Sequence, residues 1–148
     1  PDTCGACHAT EFKAFKKSAH YRELKRTGRG PNCVTCHGSL ANRVIGPREM
    51  ENTCNLCHHE PRQAYSARLA VEEAREALRD LDQAAEQALS SGKTAVDKRA
   101  YIPLHDRFHA ALVGWHTFDV EKVLAQAKDI AREASALSTE LKLKNKNP

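Results

Sequence analysis

The sequence predicts an all-α protein with little or no β-structure. In two long stretches of this 148-residue chain, apolar residues recur at alternating intervals of three and four, which is the spacing of a helical heptad. No stretch shows the alternation with period two that marks a half-buried strand. We therefore expect loops with one short helix over residues 1–60, then a long antiparallel helical hairpin or bundle over residues 61–148, in one compact unit.

The short helix of the first segment is expected from about Thr10 to Lys25. Glycine and proline residues follow it, and such residues end helices and favour loops. They lie at six positions: Gly28, Gly30, Pro31, Gly38, Gly46 and Pro47.

The first long helix is expected from Arg62 to about Ser90, a rod of roughly 43 Å at 1.5 Å per residue. A proline is tolerated at its N-terminal end, where Pro61 stands, and Ser91-Gly92 closes it. Its seam consists of small and branched residues: Ala67, Val71, Ala74, Leu78, Leu81, Ala85 and Ala88.

The second long helix begins after Asp119, which is expected to cap its N-terminus. Two matched seams predict antiparallel helices that pack closely, although the partner of such a seam could equally be a second copy of the chain. The ending Lys142–Pro148 is expected to fray. The seam of this helix holds Val120, Val123, Ala127, Ile130, Ala134, Leu137 and Leu141.

A Cys-x-x-Cys-His motif occurs three times in the first 58 residues and uses all six cysteines of the chain: Cys4-Gly-Ala-Cys7-His8, Cys33-Val-Thr-Cys36-His37 and Cys54-Asn-Leu-Cys57-His58. This motif is the attachment signature of c-type haem. Two thiols at this spacing reach the two vinyl groups of a porphyrin, and the histidine that follows supplies an axial imidazole to the iron. The sequence therefore predicts three covalently attached haem c groups wrapped by the loops of the first segment, with proximal ligands His8, His37 and His58.

Two other uses of paired cysteines fit this pattern less well. Zinc sites gather four ligands from two pairs, and three pairs do not divide into whole Cys4 sites. Disulfides occur in exported chains, but they give no reason for a histidine at the same offset each time.

Five histidines remain for the three distal positions: His20, His59, His105, His109 and His116. The last three fall within about 40° of one another on a single helix at about 100° per residue. From this stripe we expect His109 and His116 as distal ligands, with His105 and His59 as alternates. The single methionine, Met50, is not expected to serve. The histidine supply favours bis-histidine, low-spin haems.

Three segments resemble the opening of multihaem cytochromes related to the nitrifier tetrahaem cytochrome and the hydroxylamine-oxidoreductase group: Cys4-x-x-Cys7-His8, Phe15-Lys-Lys-Ser18-Ala-His20 and Cys33-Val-Thr-Cys36-His37-Gly38. The resemblance implies that His20, in its S-x-H context, is a distal ligand to a haem other than the nearest one. Trp115-His116-Thr-Phe118 is similar to histidine-bearing helices near the C-terminus of that superfamily. Cys57-His58-His59 resembles small multihaem cytochromes in which the second histidine ligates a neighbouring haem.

The resemblance implies electron wiring rather than catalysis. The catalytic members carry more haems and a special haem, marked by a CxxCK motif or a crosslinking tyrosine. This sequence has no CxxCK motif, and none of its three tyrosines can be assigned to a crosslink.

Composition supports a core built largely on the cofactors. Aromatic residues make up 5% of the chain and the mean hydropathy is −0.62, so a large conventional core is not expected. The formal charge of +4 falls to roughly +1 with three ferric haems and their propionates, so nucleic-acid binding is not expected. The basic residues of the first 50 positions neutralise propionates or dock an acidic redox partner.

Thioether attachment of haem takes place outside the cytoplasm, so we expect a periplasmic or extracellular protein, with a leader or anchor upstream or cleaved. No apolar run approaches the roughly 18–20 residues of a membrane span. The expected function is an electron-transfer relay between redox partners. It could be a soluble shuttle, a subunit of a membrane complex, or an extracellular polymer in which a histidine such as His59 ligates a haem of the next subunit.

Two other classes of function are weighed against this relay. One is an enzyme with one open iron that acts on a nitrogen or sulfur oxyanion, with His105 or Arg107 handling protons or charge. The other is a haem-based sensor with the long helices as output, and no specific feature of the sequence supports it.

Overall fold

A computed structural model describes residues 1–39, 44–59, 61–92 and 95–146 of the chain. The predicted all-α class is confirmed, because the described residues are 80% helical and contain no strand. None of the helices in the described part of the chain is long and apolar enough to cross a membrane.

The first segment contains more helix than expected. Five short helices are present: α1 (Asp2–Gly5), α2 (Ala9–Phe15), α3 (Ala19–Thr27), α4 (Cys33–His37) and α5 (Pro47–Asn55). The prediction of a single short helix is therefore wrong. The missed helices α1, α4 and α5 have only four, five and nine residues, too few to show a hydrophobic period in the sequence.

The helix expected from Thr10 to Lys25 is divided at Ser18. The buried Ser18 hydroxyl accepts a hydrogen bond of 3.0 Å from the backbone N–H of Tyr21 and so caps α3. Gly28 ends α3 in the left-handed conformation, at φ 72°. Pro47, which was expected in a loop, is the first residue of α5, where its missing N–H costs nothing.

The long helix α6 (Arg62–Ser91) follows the prediction, and Gly92 closes it at φ 65°. All seven residues of the predicted seam are buried. The seam is rich in alanine, and alanines at 0% exposure such as Ala67 and Ala74 allow close approach of a neighbouring helix.

The remaining helices are α7 (Lys98–Gly114) and α8 (Val120–Lys146), joined by a 3₁₀ turn over Trp115–Thr117. Asp119 caps α8 as predicted, since its Oδ1 accepts a hydrogen bond of 3.1 Å from Lys122 N. The expected fraying from Lys142 is not observed, because α8 continues to Lys146. Asn147 and Pro148 lie outside the described residues.

The two seams pack together, but α6 and α8 run parallel. Gln63 Nε2 donates to Glu121 Oε1 at 2.9 Å near the start of both helices. Further along both, Ser138 Oγ donates to Asp80 Oδ2 at 2.8 Å. The antiparallel pairing expected for these two seams is therefore wrong.

The antiparallel member of the bundle is α7, which returns the chain to the end where α8 begins. Arg107 on α7 forms an ion pair of 2.5 Å with Glu133 on α8, and the Tyr101 hydroxyl donates to Asp82 on α6 at 2.6 Å. On the side of α7, the core contains the buried side chains of Leu104, Ala111 and Trp115. The 3₁₀ turn, which contains His116, therefore lies at the end of the bundle that faces the first segment.

Candidate functional site

The three Cys-x-x-Cys-His motifs lie beside one another. Cys33 lies close enough to Cys4, and Cys36 close enough to Cys54, for each neighbouring thiol to raise its pKa. All six cysteines are free thiols. The first motif therefore adjoins the second, and the second adjoins the third.

Burial raises the pKa of the Cys33, Cys36 and Cys54 thiols. Neighbouring thiols raise the pKa of Cys33 and Cys36 further, because two thiolates in proximity repel. A raised pKa keeps these thiols protonated at neutral pH and slows their oxidation to disulfides.

The proximal histidine of the second motif faces a histidine from the far end of the chain. The rings of His37 and His116 have centroids 6.1 Å apart and planes within 7° of parallel. His116 Nδ1 lies 3.0 Å from Val113 O. Because a carbonyl oxygen only accepts, Nδ1 carries the proton of this bond and the neutral ring keeps its lone pair on Nε2, the form that binds a metal.

The proximal histidine of the third motif has a similar partner. The rings of His20 and His58 have centroids 5.9 Å apart, with an angle of 68° between their planes. Burial, followed by the neighbouring His58, lowers the pKa of His20, so its neutral form is favoured. His20 Nδ1 is buried without a hydrogen-bond partner in the described part of the chain.

The distances between the ring centres are close to that of two imidazoles on one iron. A metal lies about 2 Å from an imidazole nitrogen, and the ring centre lies roughly 1.1 Å behind that nitrogen, so two imidazoles on one iron have centres about 6.2 Å apart. Both pairs fall within about half an ångström of this distance. Each pair also joins a motif histidine to a histidine outside the motifs, as bis-histidine ligation requires.

The other histidines have no such partner. His8, His59 and His109 are exposed, and within the described residues no ring contact joins any of them to another histidine. The expected stripe of three histidines on one helix is wrong, because α7 ends at Gly114 and His116 lies in the 3₁₀ turn beyond it.

His105 lies in a different environment. Its Nε2 is 2.9 Å from Asp82 Oδ1, without the alignment of a hydrogen bond. The same oxygen accepts the Tyr101 hydroxyl at 2.6 Å, and this bond is the main reason that the pKa of Tyr101 rises to about 12. His105 is thus placed on the α6–α7 interface, two and a half turns before the end of α7.

Two residues missed by the sequence analysis contact the distal histidines of the two pairs. Val113 supplies the carbonyl that orients His116. Phe118 lies between the segments, with its ring 4.3 Å from that of His20 and 6.2 Å from that of Phe15. Neither role has a local sequence signal, because a backbone carbonyl carries no side-chain identity and the Phe118 contacts cross most of the chain.

The third motif is tied to the bundle by a buried arginine. The Arg68 side chain is 8% exposed, and its guanidinium pairs with Glu51 on α5 and, at 2.7 Å, with Glu72 on α6. These carboxylates raise the pKa of Arg68, chiefly through the hydrogen bond to Glu51. Met50, which also lies on α5 and is 9% exposed, packs into the bundle core.

In the part of the chain that the structure describes, no group of three or more histidine, cysteine or acidic side chains is arranged to hold a metal ion. A porphyrin iron takes only two ligands from the protein, so pairs of histidines are the relevant arrangement. Comparison of the chain with protein-family models, with curated proteins and with solved structures gives no match.

Proposed function

We propose that this protein is a trihaem c-type cytochrome that relays electrons between redox partners. The observation that carries the proposal is the pairing of two motif histidines with two histidines outside the motifs, at ring separations of 5.9 and 6.1 Å. When bound, each haem supplies a one-electron couple at its iron.

The chain has a complete set of groups for two of the haems. The second motif offers the thiols of Cys33 and Cys36, with His37 and His116 as axial ligands. The third motif offers Cys54 and Cys57, with His58 and His20. The first motif offers Cys4, Cys7 and His8.

The surrounding residues keep the distal imidazoles ready to bind. The hydrogen bond to Val113 O fixes the tautomer and the ring orientation of His116. Burial keeps His20 neutral, and only a neutral imidazole has a lone pair to give a metal. The thiols of successive motifs lie close together, so the attachment points of successive haems are also close, as a relay requires.

We include two further points in this proposal. The protein is related to the nitrifier tetrahaem cytochrome and hydroxylamine-oxidoreductase superfamily, and it is located in the periplasm or outside the cell. The redox partners are proteins that meet an exposed haem edge. His20 as a distal ligand is the point at which the resemblance and the observed histidine pairs agree.

A second candidate function rests on the first motif. His8 is exposed and has no ring contact with another histidine of the described residues, so an iron held there could keep an open position. Such a haem would make the protein a small redox enzyme that acts on a nitrogen or sulfur oxyanion.

The test is the haem content and the visible spectrum of the dithionite-reduced protein, with and without CO. The relay predicts three haems per chain and sharp low-spin bands indifferent to CO. A CO response from one haem in three moves the enzyme to first place, and a protein without covalent haem contradicts both functions.

Single substitutions assign the ligands. His116→Ala and His20→Ala are each expected to create one additional CO-binding haem, because each removes one distal imidazole. Lys128→Ala is the control, since Lys128 is an exposed residue of α8 outside both histidine pairs. An unchanged CO response in the first two variants would contradict the assigned pairs.

A further inference from the structure

The two histidine pairs differ in the angle between their rings. The planes of His37 and His116 lie 7° apart, and those of His20 and His58 lie 68° apart. One pair is nearly parallel and the other is closer to perpendicular. If both pairs ligate iron, as proposed above, the two haems differ electronically although their ligands are chemically the same.

The physical reason is π donation from imidazole to iron. Each ring donates from the orbital perpendicular to its plane into one of two iron d orbitals. Two parallel rings donate into the same d orbital and so separate the two d orbitals in energy. Two perpendicular rings donate into different d orbitals and leave the two orbitals close in energy. The g-anisotropy of the ferric, low-spin iron reports this separation, with a rhombic signal for parallel rings and a large-gmax signal for perpendicular rings.

The planes of the two distal histidines are fixed in different ways. The ring of His116 is oriented by its hydrogen bond of 3.0 Å to Val113 O. His20 has no such bond, because its buried Nδ1 lacks a partner in the described part of the chain. What lies against the His20 ring is Phe118, at 4.3 Å and an interplanar angle of 76°.

Phe118 occupies a backbone conformation that costs energy. It is the non-glycine residue with positive φ in the described chain, at 57°, where the 3₁₀ turn ends before α8. Such strain persists where the surroundings hold it, and it directs the side chain. Here it directs the Phe118 ring between the buried Phe15 and His20.

We infer that Phe118 is a positioning residue that sets the imidazole plane of His20, and thereby makes the His20–His58 haem electronically distinct from the His37–His116 haem. This inference rests on the proposed function. The Phe118 ring lies 4.3 Å from the His20 ring at an interplanar angle of 76°, and we expect this contact to limit rotation of the His20 ring. A smaller, non-planar side chain removes that limit.

The experiment is electron paramagnetic resonance of the fully oxidised, haem-loaded protein. The wild-type protein is expected to show a large-gmax signal that is lost in His20→Ala and a rhombic signal that is lost in His116→Ala. Phe118→Leu is expected to shift the large-gmax signal to smaller gmax and leave the rhombic signal in place. Phe118→Tyr keeps the ring and is expected to retain both signals.

Phe108→Leu is the matched control, because Phe108 is a half-buried phenylalanine of α7 that packs on the bundle core. It is expected to leave both signals unchanged. Signals that are the same in Phe118→Leu and the wild-type protein would overturn the inference. A wild-type spectrum in which no large-gmax signal depends on His20 would also overturn it, without any need for the Phe118 variants.

Failure of the inference and failure of the proposed function are distinguishable. Three haems per chain with signals insensitive to Phe118 leave the cytochrome standing and remove the positioning role. A chain with no covalent haem by mass removes the proposed function itself.

Discussion

The two regions of the molecule are stabilised in different ways. In the bundle, α6, α7 and α8 bury a continuous apolar seam of their own side chains, from Ala64 to Leu141. In the described part of the first segment, the buried hydrophobic residues are Phe15 and Met50. The bundle therefore contains its own core, and the motif segment does not.

This difference follows from helix length. Isolated helices shorter than about 12–15 residues are marginal in water, and the five helices of the first segment have four to nine residues. The 30-residue α6 and the 27-residue α8 gain their stability from packing along their whole length. The first segment has no comparable core of side chains, and the three proposed porphyrins are large apolar groups that would supply one.

The largest expected effect is the loss of order in the first segment of haem-free protein. Amides of residues 1–39 and 44–59 are expected to lose most of their protection from hydrogen exchange, while amides of α6 and α8 keep theirs, because only the bundle has a side-chain core. Hydrogen exchange measured by mass spectrometry on haem-loaded and haem-free protein checks this. Equal protection of the first segment in both forms would remove the contrast between the two regions.

Next in size is the truncation of a core side chain in the bundle. Leu81→Ala is expected to cost about 2–5 kcal/mol of unfolding free energy, because Leu81 is 0% exposed and the change leaves a cavity. The control Leu89→Ala lies on the same helix at 67% exposure and is expected to change stability by less than about 0.5 kcal/mol. Urea unfolding measures both variants. Similar costs would show that the seam is not the core.

A smaller effect is expected at the junction of the two regions. Arg68→Met leaves Glu51, 18% exposed, without its cationic partner, so α5 is expected to loosen from α6. Hydrogen exchange should rise in Pro47–Asn55 more than in α8. Arg75→Met, an exposed change seven residues further along α6, is the control. Unchanged exchange in α5 would show that Met50 alone holds the junction.

The smallest effect concerns the exposed ion pair between α6 and α8. The hydrogen bond from Lys142, followed by that from Ser138, lowers the pKa of Asp80. Asp80 therefore stabilises the fold above its unfolded pKa, and this contribution is lost as the pH falls through the lower, folded value. With side chains 43% and 49% exposed, the pair is worth only about 0.2–1 kcal/mol.

Asp80→Asn should thus lower stability slightly at pH 7 and match the wild-type protein at pH 2. Asp106→Asn, an exposed change on α7, serves as the control. Urea midpoints at the two pH values measure the difference. A gap between wild type and Asp80→Asn that is as wide at pH 2 as at pH 7 would contradict the ion-pair account.

Local sequence patterns determined the long helices, several helix ends and the candidate attachment residues of this protein. The heptad seams predicted α6 and the start of α8 to within about one residue, because a 3.6-residue period is a property of each helix by itself. The Cys-x-x-Cys-His spacing identified the candidate attachment residues, because thiols three residues apart and the next histidine form one local unit. Asp119 and Gly92 marked helix ends through their own capping chemistry.

The tertiary structure decided the direction of the helices and the pairing of the histidines. The seams are compatible with parallel and antiparallel packing, and only the return of the chain through α7 makes α6 and α8 parallel. His116 meets His37 because the 3₁₀ turn brings the C-terminal half of the chain back to the motifs, whereas His20 meets His58 within the first segment itself. Such contacts depend on the summed geometry of many helices and turns, which no local pattern encodes.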